Sequence, residues 1–207
     1  MFAAAVRARV ILLAGPSGSG KTTLAANLGL PALRLDDFYR EGGDPLLPVD
    51  RAGRTDWNHP NSWNGKDALA AIIELATVGA VVTPVYSAGA DRRVGSQTVE
   101  LCGARLFLAE GLFADGLVDD CRSAGVLADA VVLAPSAAVT FVRLLTRDIA
   151  EARKPMSVLL PRSVRLWHEQ PAIVDRCVRA GMRPVTPRRA RQELAGLADG
   201  PPSCLAV

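Results

Sequence analysis

The sequence predicts an α/β fold: a parallel sheet with helices on both faces. Three observations carry this. Short continuous apolar runs such as Arg9–Ala14 (RVILLA), without polar alternation, mark strands covered on both sides. These runs alternate with helix-period segments, the pattern of crossover connections in a parallel sheet. The first run also passes directly into a glycine-rich loop and then a helix.

Taken in order, Arg9–Ala14 is the first strand and Lys21–Leu28 a helix that ends near Gly29 and Pro31. Ala32–Leu35 is a second strand. A polar, Gly- and Pro-rich stretch from Arg40 to Asn64 follows, with Trp57, His59, Pro60 and Trp63 embedded in it. A loop of that length in a compact domain points to a function. Lys66–Val78 has helical spacing, Ala80–Tyr86 is a strand, and Gln97–Leu101 belongs to a short β excursion. Arg105–Ala109 is a buried strand ending on Glu110-Gly111, Phe113–Ala124 a helix, and Ala130–Ala134 a strand. Ala137–Ala152 reads as a long amphipathic helix, continued by the basic segment Arg153-Lys154-Pro155. Arg162–Ala180 is helical except near Pro171, Pro184–Pro187 is a short strand or turn, and Arg188–Leu197 is the last helix. The tail, residues 199–207, is expected to fray. No repeat or linker divides the chain, so a single domain over 1–207 is expected.

Composition narrows the classes. With 207 residues, 49% hydrophobic and 22% charged, the chain can bury a full core and is not of the disordered type. Its net charge of +3 comes from arginine, because Lys21, Lys66 and Lys154 are its only lysines. The arginines lack interleaved aromatics, so no nucleic-acid partner is expected. Cys102, Cys121, Cys177 and Cys204 form no CxxC pair, which favours a reducing cytoplasm over disulfides or zinc. The apolar start is too short for a membrane span and has no signal-peptide cleavage pattern, so no membrane partner is expected. Self-association as a homo-oligomer stays open.

Gly15-Pro-Ser17-Gly18-Ser19-Gly20-Lys21-Thr22 matches GxxxxGK[ST] in full, after a strand and before a helix. The glycines let successive backbone N–H groups curl round an anion, and the helix adds its positive end. Gly15, Ser17, Gly18, Ser19, Gly20, Lys21, Thr22 and Thr23 are therefore the nucleotide-binding candidates, with Lys21 on the β- and γ-phosphates and Thr22 on magnesium. A ligand-free glycine turn is the alternative, disfavoured by motif and context together. The fold expectation sharpens to a P-loop NTPase-type sheet. Neither an NKxD guanine-recognition sequence nor an LSGGQ-type signature is present, and the length argues against a motor, which leaves a compact kinase. In LRLDDFYR, a carboxylate at the end of the second strand lies at the edge where open α/β sheets bind ligands. It can take a proton from a hydroxyl or help hold metal, or Asp36 and Asp37 can simply cap a turn.

LDDFYR, NHPNSWN, TPVYSAGADRR, LFLAEGLFA and RLLTRDIAEAR occur in the order of the uridine kinase family, which the chain resembles from about Val10 to Arg153. The resemblance implies an ATP- (or GTP-) and magnesium-dependent kinase with a small helical lid at about 147–162, acting on the 5′-hydroxyl of a nucleoside-like acceptor, first uridine or cytidine. It makes Asp36 the catalytic base, with Lys21 and Arg147 assisting transfer, and Glu110 a magnesium support beside Thr22. Tyr39, Trp57, Asn58 and Tyr86 match acceptor-pocket positions. Arg143, Arg147 and Arg153 match lid cations, with Arg153 on the substrate side, and Arg188 falls near the donor base. Two positions depart from the family: Asn58 stands where the family has an aspartate, and Asp91 where uridine kinases carry a histidine. These departures keep open a kinase for nicotinamide riboside or another hydroxylated metabolite. An ATP-binding regulatory protein without transfer activity is the alternative of another class. His59 is expected to orient its HP turn, and Trp63 and Trp167 to pack.

Overall fold

The computed structural model describes residues 5–16, 18–50, 53–135 and 170–197. Five strands form one parallel sheet: β1 (Arg9–Ala14), β2 (Ala32–Arg34), β5 (Leu106–Glu110), β6 (Leu127–Leu133) and β7 (Arg183–Val185), in the order β2-β5-β1-β6-β7. β1 is central because it is apolar on both sides, and its period of two sorts its side chains between two cores. Val10, Leu12 and Ala14 pack on one face with Ala68, Ile72 and Leu75 of α2 (Gly65–Val78), Val118 and Cys121 of α3 (Val118–Ser123), and Cys177 of α4 (170–179). Ile11 and Leu13 pack on the other with Leu24 and Ala25 of α1 (Lys21–Leu28) and Ala190 and Leu194 of α5 (Pro187–Leu197). Helices on both faces follow, as expected.

The largest departure from the sequence reading concerns Ala80–Tyr86. It is a strand, β3 (Ala80–Ser87), but it stands outside the parallel sheet. It pairs antiparallel with β4 (Arg92–Glu100) in a separate two-stranded hairpin, much longer than the expected excursion at Gln97–Leu101. Burial explains the placement. Val81 and Thr83 face inward while Val82 is exposed, and β4 (RRVGSQTVE) is polar and exposed along nearly its whole length. Such strands cannot sit inside a two-faced sheet, and Pro84 also lacks the donor that a central ladder needs.

Phe113–Ala124 is likewise not one helix: a 3₁₀ turn, Ala114–Leu117, leads into α3. At Pro184–Pro187 the chain forms β7 and then starts α5 with Pro187 at its first position, where the missing N–H costs nothing. The predicted helix over Ala137–Ala152, the lid at 147–162, Ser17 and the tail at 199–207 lie outside the described residues. So does the part of the predicted helix Arg162–Ala180 before Gln170, Trp167 included.

Candidate active site

The carboxyl ends of β1, β2 and β5 converge on one cleft of about 880 Å³. Its lining includes Gly18, Gly20, Lys21, Thr22 and Thr23 from the glycine loop and α1, Asp36 from the segment after β2, Glu110 from β5, and Arg188 from α5.

The loop is built for close approach. Gly15 has φ +152°, and a Cβ there would lie 2.7 Å from Ser19 Oγ and 3.1 Å from the Leu133 carbonyl oxygen. Gly20 precedes α1 in a left-handed conformation and brings no capping side chain, so the first-turn N–H groups face the cleft. Ser19 is buried beneath the loop. Lys21 Nζ donates to the Gly15 carbonyl at 2.8 Å and the Pro16 carbonyl at 3.3 Å, which keeps the ammonium over the loop. Thr22 Oγ1 donates to Glu110 Oε1 at 3.1 Å. Glu110 is only 5% exposed. Burial pushes its carboxyl up from the usual range and Asp36 adds to that, while Lys21 and the Thr22 hydroxyl pull it back.

Adjacent Asp36 and Asp37 point to different tasks. Both lie in a 3₁₀ turn, Leu35–Phe38, that caps β2. Asp36 is exposed to the cleft, with its Oδ1 3.4 Å from the Leu112 N–H. Asp37 is buried. Gly111 lets this turn meet the end of β5: a Cβ there would stand 2.7 Å from Leu35 Cβ and 3.1 Å from Asp36 Oδ1.

Beside Asp36 the structure assembles an aromatic box. The Tyr39 ring centroid lies 5.9 Å from that of Trp57, 5.8 Å from Tyr86 and 6.1 Å from Phe113, and Trp57 lies 6.4 Å from Tyr86. Burial pushes the Tyr39 hydroxyl up, with the Asp36 carboxylate adding to the effect. Burial pushes Tyr86 up to about 12, helped by the charges of Asp91 and Glu41. The Tyr86 Oη is buried and has no hydrogen-bond partner among the described residues, an expensive condition that a bound polar ligand would relieve.

The structure therefore brings Tyr39, Trp57 and Tyr86 together near Asp36, and Gly15, Gly18, Ser19, Gly20, Lys21, Thr22 and Thr23 into one loop and helix start. Asn58 is exposed on the next turn, its backbone N–H donating to Asp56 Oδ1 at 3.1 Å, so it follows Trp57 without joining the box. Asp91 sits at the hairpin tip with φ +49°, exposed, its carbonyl accepting from the Gly42 N–H at 2.5 Å. It influences Tyr86 through charge. Ser17, Arg143, Arg147 and Arg153 lie outside the described residues.

His59 and Trp63 behave as the sequence suggests. His59 Nδ1 accepts from the Asn61 N–H at 3.1 Å, capping the short 3₁₀ turn Pro60–Ser62. Trp63 is buried, and its Nε1 donates to the Leu35 carbonyl at 2.7 Å beneath the acidic turn.

Sequence reasoning missed several residues. Asn27 and Arg191 line the cleft, Arg191 one helical turn beyond Arg188. Phe113 closes the box, and Arg176 holds it there. Its guanidinium lies 5.4 Å above the Phe113 ring, pairs with Asp115 at 2.8 and 3.1 Å, and donates to the Leu112 carbonyl at 2.9 Å. Only the position of Phe113 after EGL could have pointed to it; the partner sits 61 residues from Asp115.

Comparison with known proteins bears on the family and the fold. Residues 10–156 match the model of the "Phosphoribulokinase / Uridine kinase family". The uridine kinase of Saccharomyces cerevisiae is 32% identical over 153 residues, covering 68% of this chain and 29% of the yeast protein. That of Schizosaccharomyces pombe is 32% identical over 155 residues, covering 69% of this chain and 32% of its own. The chain thus spans about a third of the length of these curated relatives. Among solved structures, a proposed fructose transport system kinase from Silicibacter sp. TM1040 superposes with a TM-score of 0.58 at 19% identity, covering 81% of this chain and 85% of its own. At that identity it supports the fold alone.

Proposed function

The chain belongs to the phosphoribulokinase/uridine kinase family, and on that premise we propose that it transfers the γ-phosphoryl of ATP to the 5′-hydroxyl of a nucleoside. Uridine and cytidine are the first acceptors to test, and GTP the donor to compare. The observation that carries the reading is the meeting of two halves: the phosphate loop with Lys21, Thr22 and Glu110, and the exposed Asp36 beside an aromatic box.

The box also supports a choice within the family. Aromatic faces suit a flat, uncharged or cationic ring. Asp36, Glu41 and Asp91 act on these rings alongside a cation, Arg176, whose charge is already paired with Asp115, a balance that disfavours an acceptor already carrying a phosphate.

In this mechanism the glycine-loop N–H groups and Lys21 bind and orient the triphosphate. Asp36 accepts the proton of the attacking hydroxyl, a role that requires only its ionised form and hydrogen-bond reach. Tyr39, Trp57 and Tyr86 hold the acceptor ring and exclude water from one side. Thr22 and Glu110, two oxygen donors beside the phosphate cradle, fit a magnesium ion and are the residues that would hold it. When bound, magnesium neutralises charge on the phosphoryl oxygens. Arg188 would meet the donor nucleotide from the far wall of the cleft. Arg143, Arg147 and Arg153 keep their proposed roles as lid cations. The whole of 1–207 is read as one kinase domain, and its unpaired cysteine pattern favours a cytoplasmic setting. Among the described residues no helix is long and apolar enough to cross a membrane.

Asp91 supports a second reading. Its charge beside Tyr86 suits an acceptor whose ring is cationic or offers N–H donors, such as nicotinamide riboside or another hydroxylated metabolite. An ADP-release assay over a panel of nucleosides and hydroxylated metabolites tests both. Acceleration by uridine or cytidine supports the first reading, and acceleration by another acceptor alone supports the second. Tight ATP binding with no acceleration by any acceptor would favour a regulatory ATP-binding protein.

A further inference from the structure

Asp37 is an unusual residue to find buried. Its side chain is 1% exposed, yet it stands next to the solvent-facing Asp36 in the same short turn. Both its oxygens are spent on the hairpin. Oδ1 accepts the backbone N–H of Tyr86 on β3 at 3.0 Å, and Oδ2 accepts the Nε2 amide of Gln97 on β4 at 3.2 Å. These partners lie 49 and 60 residues away in sequence. The half-exposed Arg34 is 3.9 Å off, too far to satisfy the buried charge by itself. Burial pushes the carboxyl up, and the Tyr86 N–H pulls it back more than Arg34 does.

The Tyr86 contact sits where β3 is irregular. The register with β4 shifts between Val85 and Tyr86, so the Tyr86 backbone is directed by more than regular pairing. The tip is tied separately, by Glu41 accepting the Arg93 N–H at 3.3 Å and Gly42 donating to the Asp91 carbonyl at 2.5 Å. Those ties are exposed. The Asp37 contacts are made by a buried carboxylate in a low-dielectric setting, where a charged acceptor bonds most strongly.

We propose that Asp37 is a positioning residue: it registers the β3–β4 hairpin on the turn that bears Asp36, and so sets the place of the Tyr86 ring in the acceptor box without touching the acceptor. One 3₁₀ turn then carries two carboxylates with divided work. Asp36 faces the reacting hydroxyl, and Asp37 faces the flap that holds the rest of the acceptor. A ligand seated on Tyr86 is thereby referred to the same piece of backbone as the proposed base.

The inference rests on the kinase reading for its kinetic consequence, so its test has an arm that does not. In Asp37→Ala, hydrogen exchange at the Tyr86 amide should quicken at least about tenfold, the loss of a charge-assisted bond. The acceptor KM should rise by roughly tenfold or more, while ATP affinity stays within about twofold. Asp37→Asn should restore acceptor KM to within about threefold of wild type. Its carbonyl can still accept from Tyr86, and a rotated Gln97 amide can accept from its NH₂. If Asp37→Ala fails to fold, Gln97→Ala, which leaves the Tyr86 bond intact, should show a smaller rise in acceptor KM. Unchanged Tyr86 exchange in Asp37→Ala overturns the proposal, as does an equal loss of ATP and acceptor affinity, or an Asn variant no better than Ala. An unaltered acceptor KM in Gln97→Ala overturns it too. If no acceptor accelerates ADP release in the wild type, the kinase reading falls, and Tyr86 exchange still decides the clamp.

Discussion

The donor cleft and the aromatic box beside Asp36, the proposed acceptor half, are built by different means. The donor half is local: Gly15 to Thr23 is one stretch of chain, and its helix presents the loop, the lysine and the hydroxyl together. The acceptor half is assembled from distant pieces. Tyr39 follows β2, Trp57 comes from the long loop, Tyr86 from a hairpin outside the main sheet, and Phe113 from the turn after β5. Backbone geometry alone makes an anion cradle, whereas a shaped pocket needs side chains fixed by long-range packing. The difference teaches where damage should spread. A change in the loop should abolish donor chemistry alone, and a change in the box should alter acceptor affinity and leave nucleotide binding intact.

The most severe break of this contrast is Lys21→Ala. Removing the loop ammonium should lower phosphoryl transfer by roughly 10²–10³-fold, read as single-turnover rate, while the tryptophan fluorescence response to acceptor binding is kept. Gly111→Ala attacks the seam between the halves. The added methyl meets Leu35 Cβ at 2.7 Å beside Asp36, and the variant should lose about 1–3 kcal/mol of stability by denaturant unfolding together with activity. Tyr86→Phe sharpens the comparison from the acceptor side. Because the hydroxyl is buried with no partner among the described residues, its loss should not lower the melting temperature. The acceptor KM should rise by about 3–10-fold with ATP binding unchanged.

The smallest effect is that of Glu110→Gln on stability in the absence of nucleotide and metal. The folded protein holds this carboxyl above its ordinary range. Its contribution to stability is therefore fully present below the ordinary carboxylate range and is lost as pH rises through the folded value. Glutamine carries no such charge, so the variant should match wild type in acid and be slightly more stable above neutral pH, read by denaturant unfolding at both pH values. Magnesium-dependent activity should fall at the same time. In the wild type, activity should decline on acidification from a pH above that of an ordinary carboxylate, as Glu110 takes a proton.

The same contrast explains what could be read from sequence. The phosphate loop was legible because contiguous residues in a strand–loop–helix context define it. β1 was legible because a run apolar on both faces has one natural place, the sheet centre. The hairpin was legible only in part: β3 reads as a strand, but β4 is polar on both sides and most of it gives no strand signal, and the contacts that tie the pair to Asp37 and Glu41 come from distant chain. The residue pattern alone did not separate Asp36 from Asp37; only the family resemblance singled out Asp36. Two neighbouring carboxylates read alike until the turn sends one to solvent and buries the other. The roles of Arg176 and Gln97 were not legible, since nothing local reveals a partner some sixty positions away.

The most direct test of Asp36 as the base pairs two measurements on Asp36→Asn: equilibrium ATP binding, and ADP release with the best acceptor of the panel. ATP affinity should stay within about twofold of wild type, and acceptor-stimulated ADP release should drop by roughly 10²–10⁴-fold. Near-normal turnover in that variant would contradict the assignment, because the carboxylate at the meeting of the two halves would then not take the proton.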